Sequence, residues 1–260
     1  MSYELFIARR YLQSKQKTGF LSIISFIAVG GVILGVAALV IMLSVTNGFT
    51  GEVKNRLVGM NAHVSVSRIG GISDYEALAR RLVVTAGVAA VAPVIEGKLV
   101  VATEKNMDGI FVWGVEADSF PSVSDVTDHL RFDENERLQL GVLEGYGYPG
   151  IVLGRSLANR LRVGPGDVVY LVTIANRELE DLLGDFKPKL HAFSVTDFFE
   201  TGMYHHDDNI AFIDLSRAQQ VMGLGESVSS LHLRVDRLDD ASSHFVLVIH
   251  CINTTRYNAQ

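Results

Sequence analysis

Residues 20–45 read FLSIISFIAVGGVILGVAALVIMLSV, and this run decides how the rest of the chain must be organised. No charged side chain lies between Lys17 and Glu52, and the only polar side chains of the run are serines. A bilayer core requires about 20 apolar residues in a helix that rises about 1.5 Å per residue. The 26 residues of the run therefore predict a membrane-spanning helix, which we place at residues 20–46.

Two other structures are compatible with a long apolar run. A helix in the core of a soluble protein is rarely apolar on every side for seven turns. A cleaved signal peptide has an apolar stretch of about 7–15 residues, followed by a cleavage site with small residues. This run is longer, and no convincing cleavage site follows it. We therefore favour a retained helix.

The distribution of charge gives this helix a direction. Four basic residues and one acidic residue precede it, and an excess of Lys and Arg marks the cytoplasmic side. We therefore expect residues 1–19 in the cytoplasm and the domain after the helix outside the cytoplasm. The whole chain of 260 residues has a net charge of −6, which argues against a nucleic-acid partner. Its single cysteine, Cys251, excludes a framework of disulfides.

Two patterns on the predicted helix indicate contacts. Gly31 and Gly35 lie four residues apart on one face, which lets a second helix approach closely. The alternative is that glycine is simply frequent in membrane helices. Met42, Val45 and Phe49 belong to an apolar stripe that continues beyond the membrane. The stripe predicts a surface for a lipid or a partner, and packing on the chain's own domain is the alternative.

The chain after the helix predicts an α+β domain. Strand and helix patterns alternate in β-α-β-β order up to residue 115, and a polar loop with a helical turn is expected over residues 117–150. We expect a core domain in residues 47–150, a smaller α/β subdomain in residues 151–240 and an atypical tail in residues 241–260. The predicted strands are residues 63–67, 98–103, 110–115, 168–173, 190–199, 209–213 and 228–235, and residues 88–94 form a short apolar run. The predicted helices are 75–85, capped by Asp74, then 156–161, then a helix from its cap Ser216 to Met222.

Motifs for catalysis, metals and cofactors give no positive case for an enzyme. The run His205-His206-Asp207-Asp208 resembles a metal site, but neighbours on a strand point to opposite faces, so we expect a solvated loop. Residues 145–150 match a dinucleotide fingerprint by spacing, without the strand before and the helix after that it requires. No phosphate-binding loop motif occurs, so we expect no cofactor and no ATP hydrolysis by that route.

Residues 174–190 read IANRELEDLLGDFKPKL and connect two predicted strands. The segment is either a polar connecting loop or a protruding hairpin that presents apolar and basic side chains to an acidic partner, and the pattern alone does not decide. The candidate contact residues are Arg177, Phe186, Lys187, Pro188 and Lys189.

Three stretches resemble the permease subunits of lipoprotein-releasing ABC transporters, the LolC/LolE type. They are residues 8–49, residues 152–173 (VLGRSLANRLRVGPGDVVYLVT) and residues 198–225 (FFETGMYHHDDNIAFIDLSRAQQVMGLG). The LSVTNGF exit from the helix, at residues 43–49, is a strong mark of this family. The resemblance implies one transmembrane helix followed by a MacB-like periplasmic core domain and a smaller α/β subdomain.

The resemblance also implies partners and a mechanism. Such a permease pairs with a second permease, as a homo- or heterodimer, and with cytoplasmic ATPase subunits. By mechanotransmission it moves a lipoprotein substrate from the inner membrane to a periplasmic carrier chaperone. The resemblance implies that the hairpin of residues 174–190 hooks the carrier, and that Met42, Val45 and Phe49 line a cavity for membrane lipid.

The chain departs from the family after residue 240. The family has three further membrane helices, and the tail of this chain does not resemble it. We expect a truncated or frameshifted product, and a divergent end of the domain is the alternative. A MacB-like export permease of another substrate and a membrane-anchored periplasmic adaptor stay open as functions, with an anchored enzyme third.

Overall fold

The computed structural model describes residues 19–60, 62–132, 137–173 and 188–235, with a few single positions before residue 11. The chain forms two compact units, Met1–Asn55 and Arg56–Gln260. Arg177, Phe186 and Lys187 of the predicted hairpin lie outside the described residues, as does the tail.

The first unit is dominated by helix α1, Gly19–Met60, which has 42 residues. Within it, Ile23–Thr50 is long and apolar enough to cross a membrane. These 28 residues extend about 42 Å, against about 30 Å for the hydrocarbon core of a bilayer. The prediction of one apolar N-terminal helix is confirmed, and α1 continues past residue 46, as the apolar stripe predicts.

The second unit is a mixed sheet of eight strands with short helices. The strand order is β1-β8-β2-β3-β7-β4-β6-β5, with a further pairing between β2 and β5. The strands are β1 Val64–Ile72, β2 Val88–Ala102, β3 Met107–Val115, β4 Gly150–Gly154, β5 Val168–Thr173, β6 Lys189–Phe199, β7 Ile210–Asp214 and β8 Val228–Val235. The helices are α2 Tyr75–Val83, α3 Arg155–Leu161, α4 Tyr204–Asn209 and α5 Leu215–Met222, and two 3-10 helices span Phe120–Ser122 and Asp125–His129.

Strand β2 pairs with two different strands along the same edge. Its first half pairs with β8 as far as Val94, opposite Ser230, and its end pairs with β5, where Val100 lies opposite Val172. Its other edge pairs with β3. Strands β2, β3, β7, β4, β6 and β5 therefore close a ring, and β1 and β8 extend from the first half of β2.

The closed ring separates two hydrophobic cores. Alternate residues of all six ring strands, such as Val101, Val112 and Leu171, belong to one buried cluster, which α3 and α5 also join. Because side chains alternate between the faces of a strand, this cluster fills the interior of the ring. The second cluster lies on the outer face, where Phe120 and Val126 from the two 3-10 helices cover Val94, Val115 and Phe212.

One predicted strand is longer than expected. The short apolar run of residues 88–94 and the predicted strand of residues 98–103 belong to one continuous strand, β2. The helical turn predicted within residues 117–150 is confirmed by the two 3-10 helices, and the segment also carries buried apolar side chains of the outer core.

Two helix caps also differ from the prediction. Asp214 caps α5, because its carboxylate accepts hydrogen bonds from the backbone amides of Ser216 and Arg217, and Ser216 lies inside the helix. Asp74 makes no capping hydrogen bond with its side chain.

The mixed α/β sheet of the fold prediction is confirmed. Strands from both predicted parts of the second unit, before and after residue 150, share the ring. The boundary itself stays a prediction.

The backbone of α4 packs directly on Gly154. A Cβ atom at this position would lie 2.3 Å from the carbonyl oxygen of Asp207. We therefore expect Gly154→Ala to lower the free energy of unfolding by about 2–3 kcal/mol. Gly109→Ala is the control, because nothing lies within 4 Å of a Cβ atom there, and we expect a change below about 0.5 kcal/mol. Urea unfolding followed by the fluorescence of Trp113, the single tryptophan, measures both, and equal stabilities would contradict this packing.

Candidate functional site

The run that resembles a metal site is a structural element. Residues His205-His206-Asp207-Asp208 lie in α4, not in a solvated loop as the sequence predicts. Asp207 is buried, and its carboxylate accepts hydrogen bonds from the amide and the hydroxyl of Thr201, at 2.8 and 2.9 Å, and from the amide of Gly202 at 3.0 Å. Within the described residues, no group of His, Cys, Asp and Glu side chains could hold a metal ion.

Arg160 on α3 connects three parts of the unit. Its Nε donates to the carboxylate of Asp108 in β3, its Nη1 donates to the carboxylate of Asp208 in α4, and its Nη2 donates to the carbonyl oxygen of Asp208 at 2.7 Å. The hydrogen bond from Arg160 holds the pKa of Asp208 below its ordinary value, and the same bond raises the pKa of Arg160. The guanidinium is therefore fixed from both sides.

The base of the predicted hairpin is described, although most of its candidate contact residues are not. Thr173 at the end of β5 lies directly opposite Lys189 at the start of β6, so the two ends of the segment are adjacent. Pro188 and Lys189 are exposed. Their part in binding a partner stays a prediction.

An apolar surface adjoins this base on the outer face of the ring. Gly109, Val100, Val172 and Leu190 lie directly opposite one another across β3, β2, β5 and β6. Residues directly opposite in antiparallel strands share a face, so the four form one row.

Met107 and Phe111 flank this row on β3, two residues to either side of Gly109. The exposed fractions are 76% for Met107, 62% for Leu190, 42% for Phe111 and 37% for Val100. We call this surface the outer-face patch; its members are Val100, Met107, Gly109, Phe111, Val172 and Leu190.

Gly109 leaves a notch in the middle of the outer-face patch. It has no side chain, and nothing lies within 4 Å of the place that a Cβ atom would take. The notch can therefore accept an apolar side chain from another molecule.

Lys98 borders the outer-face patch. Its Nζ lies 4.8 Å from the centroid of the Phe111 ring, and the turn before Met107 exposes Lys105 beside Glu104. Lys189 precedes Leu190 on β6 and therefore faces the other side of the sheet. A surface that is apolar at the centre with a cation at its rim complements a partner that is apolar at the centre and acidic at the facing edge. Sequence reasoning missed this surface, because its residues come from four strands and only the pairing brings them together.

One face of α1 carries all the residues that the sequence singles out on the helix. Gly31, Gly35, Met42, Val45 and Phe49 are exposed and recur at spacings of three, four and seven residues. At 100° per residue these positions fall within about 80° of the helix circumference. The helix-packing pair and the candidate lipid-facing stripe are therefore parts of one continuous face.

A family model decides the identity of this fold. The model of the MacB-like periplasmic core domain matches residues 25–243. The chain belongs to this family. The match includes most of α1 and every strand of the ring.

Similar proteins of known name agree with the resemblance to LolC and LolE. The chain is 28% identical over 235 residues to the lipoprotein-releasing system transmembrane protein LolC of Neisseria meningitidis, with 90% of this chain and 54% of the relative covered. It is 28% identical over 236 residues to LolC of Xylella fastidiosa, with the same coverage. The predicted kinship with the LolC/LolE type is confirmed, and the chain spans about half the length of these relatives.

Two solved structures are similar in part. The periplasmic region of MacB from Actinobacillus actinomycetemcomitans matches with a TM-score of 0.44 at 12% identity, and covers 73% of this chain and 75% of its own. The extracellular domain of the ABC-type transporter YknZ from Gram-positive bacteria matches with a TM-score of 0.43 at 13% identity, and covers 68% of this chain and 79% of its own. The family assignment rests on the match of the family model.

His206 on α4 makes the stability of the domain depend on pH. Burial lowers the pKa of His206 below its ordinary value of 6.5, and its Nδ1 has no hydrogen-bond partner among the described residues. In the unfolded chain the imidazole of His206 takes up a proton below about pH 6.5, whereas in the folded domain it takes up that proton only at a lower pH. The free energy of unfolding therefore decreases as pH falls from about 7 to about 5.

We expect the free energy of unfolding of His206→Gln to decrease less as pH falls. Part of the decrease should remain, because burial and Lys189 also lower the pKa of His191. Urea unfolding of both proteins between about pH 5 and pH 8, followed by the fluorescence of Trp113, gives the two slopes. Equal slopes would contradict the assignment to His206.

Proposed function

We propose that the chain is a permease subunit of an ABC transporter that releases lipoproteins from the inner membrane to a soluble periplasmic carrier. The observation that carries the proposal is the similarity to LolC transmembrane proteins of lipoprotein-releasing systems over 90% of this chain. The apolar helix α1 followed by a MacB-like periplasmic core domain supports it. The permease works by mechanotransmission, and a separate cytoplasmic subunit hydrolyses ATP.

The proposed topology follows from charge. Residues 1–19 lie in the cytoplasm, α1 crosses the inner membrane, and the ring lies in the periplasm. Basic residues before the helix support this direction, because an excess of Lys and Arg marks the cytoplasmic side.

The carrier binds at the segment of residues 174–190 and on the outer-face patch beside it. Two features support this location. The ends of the segment, Thr173 and Lys189, are continuous with the strands that carry Val172 and Leu190. The patch combines exposed apolar side chains with Lys98 at its rim, which suits a protein surface better than a polar solute.

We expect Gly109→Val to weaken capture of the carrier by about 10-fold or more, because the new side chain fills the notch. Phe186→Ser with Pro188→Ser weakens capture by removing apolar contacts of the segment. Ile69→Ser is the control, because Ile69 is a fully exposed apolar residue on β1, a strand outside the ring.

The measurement is the Kd between the purified full chain in nanodiscs and the carrier chaperone encoded in the same genome. Thermal unfolding checks that each variant is folded. Capture that is unchanged in both patch and segment variants would overturn this binding site. Failure of the unaltered chain to bind the carrier would overturn the proposal of lipoprotein release and favour another exporter or an adaptor.

The second permease subunit contacts the face of α1 that carries Gly31 and Gly35, and Met42, Val45 and Phe49 of the same face border the lipid that the dimer encloses. The position of Gly31 and Gly35 on one face supports the arrangement, since small residues let helix backbones approach.

We expect Gly31→Leu and Gly35→Leu each to reduce self-association or association with the second permease by about 5-fold or more, because leucine keeps the backbones apart. Gly30→Leu is a matched control: Gly30 is the neighbouring glycine of the same helix, and it points about 100° away from Gly31. Energy transfer between labelled chains in liposomes measures the association. An equal loss in all three variants would show that the face is not specific.

A further inference from the structure

The outer-face patch depends on a residue that lies behind it. Asp108 stands between Met107 and Gly109 on β3, and side chains alternate along a strand, so Asp108 faces away from the patch. One carboxylate oxygen of Asp108 accepts a hydrogen bond from the amide of Gly109 at 2.8 Å, and the other accepts one from the Nε of Arg160. Arg160 is therefore connected through one side chain to the floor of the notch.

Arg160 itself is anchored away from the patch. Its two Nη groups bond the carboxylate and the carbonyl oxygen of Asp208, whose side chain is only 13% exposed. A planar guanidinium with bonds on two sides has a fixed orientation, which a lysine ammonium cannot reproduce.

A second hydrogen bond holds the same turn at the same place. Between β2 and β3, the side-chain amide of Asn106 donates to the carbonyl oxygen of Leu161 at 3.2 Å, and Leu161 follows Arg160 in α3. The hydroxyl of Thr103 bonds the backbone of Asn106 and tightens the turn. The end of the β2–β3 hairpin that carries Met107 is thus attached at two points to the last turn of α3.

We propose that Arg160, acting through Asp108, is a positioning residue for the carrier-binding surface. Arg160 holds Met107 and Gly109 in the arrangement that the carrier contacts. This inference rests on the proposed function. Arg160 does not touch the partner, and its contribution is preorganisation: a hairpin end that is already ordered loses less conformational freedom on binding.

Asp108→Asn is the decisive variant. Asparagine can still accept the hydrogen bond of the Gly109 amide, but it loses the charge that pairs with Arg160, and the contacts between Arg160 and Asp208 stay intact. We expect the Kd for the carrier to rise about 5-fold to 10-fold. Arg160→Lys keeps the charge and loses the two-sided geometry, and it raises the Kd by a similar factor. Arg80→Gln is the control, because Arg80 forms an exposed ion pair with Glu76 elsewhere on the unit.

Two readouts separate positioning from a general loss of stability. Amide hydrogen exchange across residues 103–109 is expected to become at least about 5-fold faster in Asp108→Asn, with no change across α5. The effect of Met107→Ala on the Kd is expected to shrink in the Asp108→Asn background, because a displaced Met107 has less contact left to lose. A uniform rise in exchange or full additivity would overturn the inference.

The outcomes distinguish this inference from the proposed function. If Gly109→Val weakens capture and Asp108→Asn leaves both the Kd and the exchange unchanged, the role of Arg160 is overturned and the binding surface stands. If Gly109→Val leaves the Kd for the carrier unchanged, the outer-face patch is not the binding surface, and the inference about Arg160 is overturned as well.

Discussion

The architecture depends on the two pairings of β2. A strand that hydrogen-bonds β8 along its first half and β5 at its end both closes the ring and joins it to β1 and β8. Because side chains alternate, this register also decides what lies inside: Val101 faces the interior core, and Val100 faces the outer surface. A slip of one residue would exchange them, exposing the interior set and burying the outer one. The interior core, the outer core and the outer-face patch are therefore consequences of a single register.

Where local pattern suffices, the sequence predicts the fold well. The absence of charge between Lys17 and Glu52 is enough to predict α1, and the strands at residues 168–173 and 228–235 are predicted to the residue. The continuity of β2 could not be predicted, because Glu96 and Gly97 interrupt its apolar pattern. The structure accommodates both through distant residues: the carboxylate of Glu96 reaches the ring of His232 at 3.0 Å, and the side chain of Met222 covers Gly97.

The candidate site is predictable only where it is local in sequence. The segment of residues 174–190 can be identified as a candidate from the sequence, because it interrupts two strand patterns, and its role stays a prediction. The row from Gly109 to Leu190 cannot, because its members are up to 81 positions apart and meet only through strand pairing. The opposite failure occurs at Asp207 and Asp208. In the sequence their carboxylates resemble metal ligands. In the structure Asp207 accepts a hydrogen bond from Thr201 and Asp208 accepts one from Arg160, and these bonds hold α4 in place.

The exposed apolar residues of the two units require different explanations. Those of α1 are exposed because lipid is the solvent of a membrane helix, so their exposure costs nothing in a bilayer. Met107 and Leu190 face water, where burial of each side chain would be worth about 1.5–3 kcal/mol. Lys98 offsets part of this cost: its ammonium lies over the ring of Phe111, and long basic side chains can cover apolar surface with their stems. Such a surface gains moderately from contact, and its positive charge attracts an acidic partner from a distance, which raises the rate of encounter.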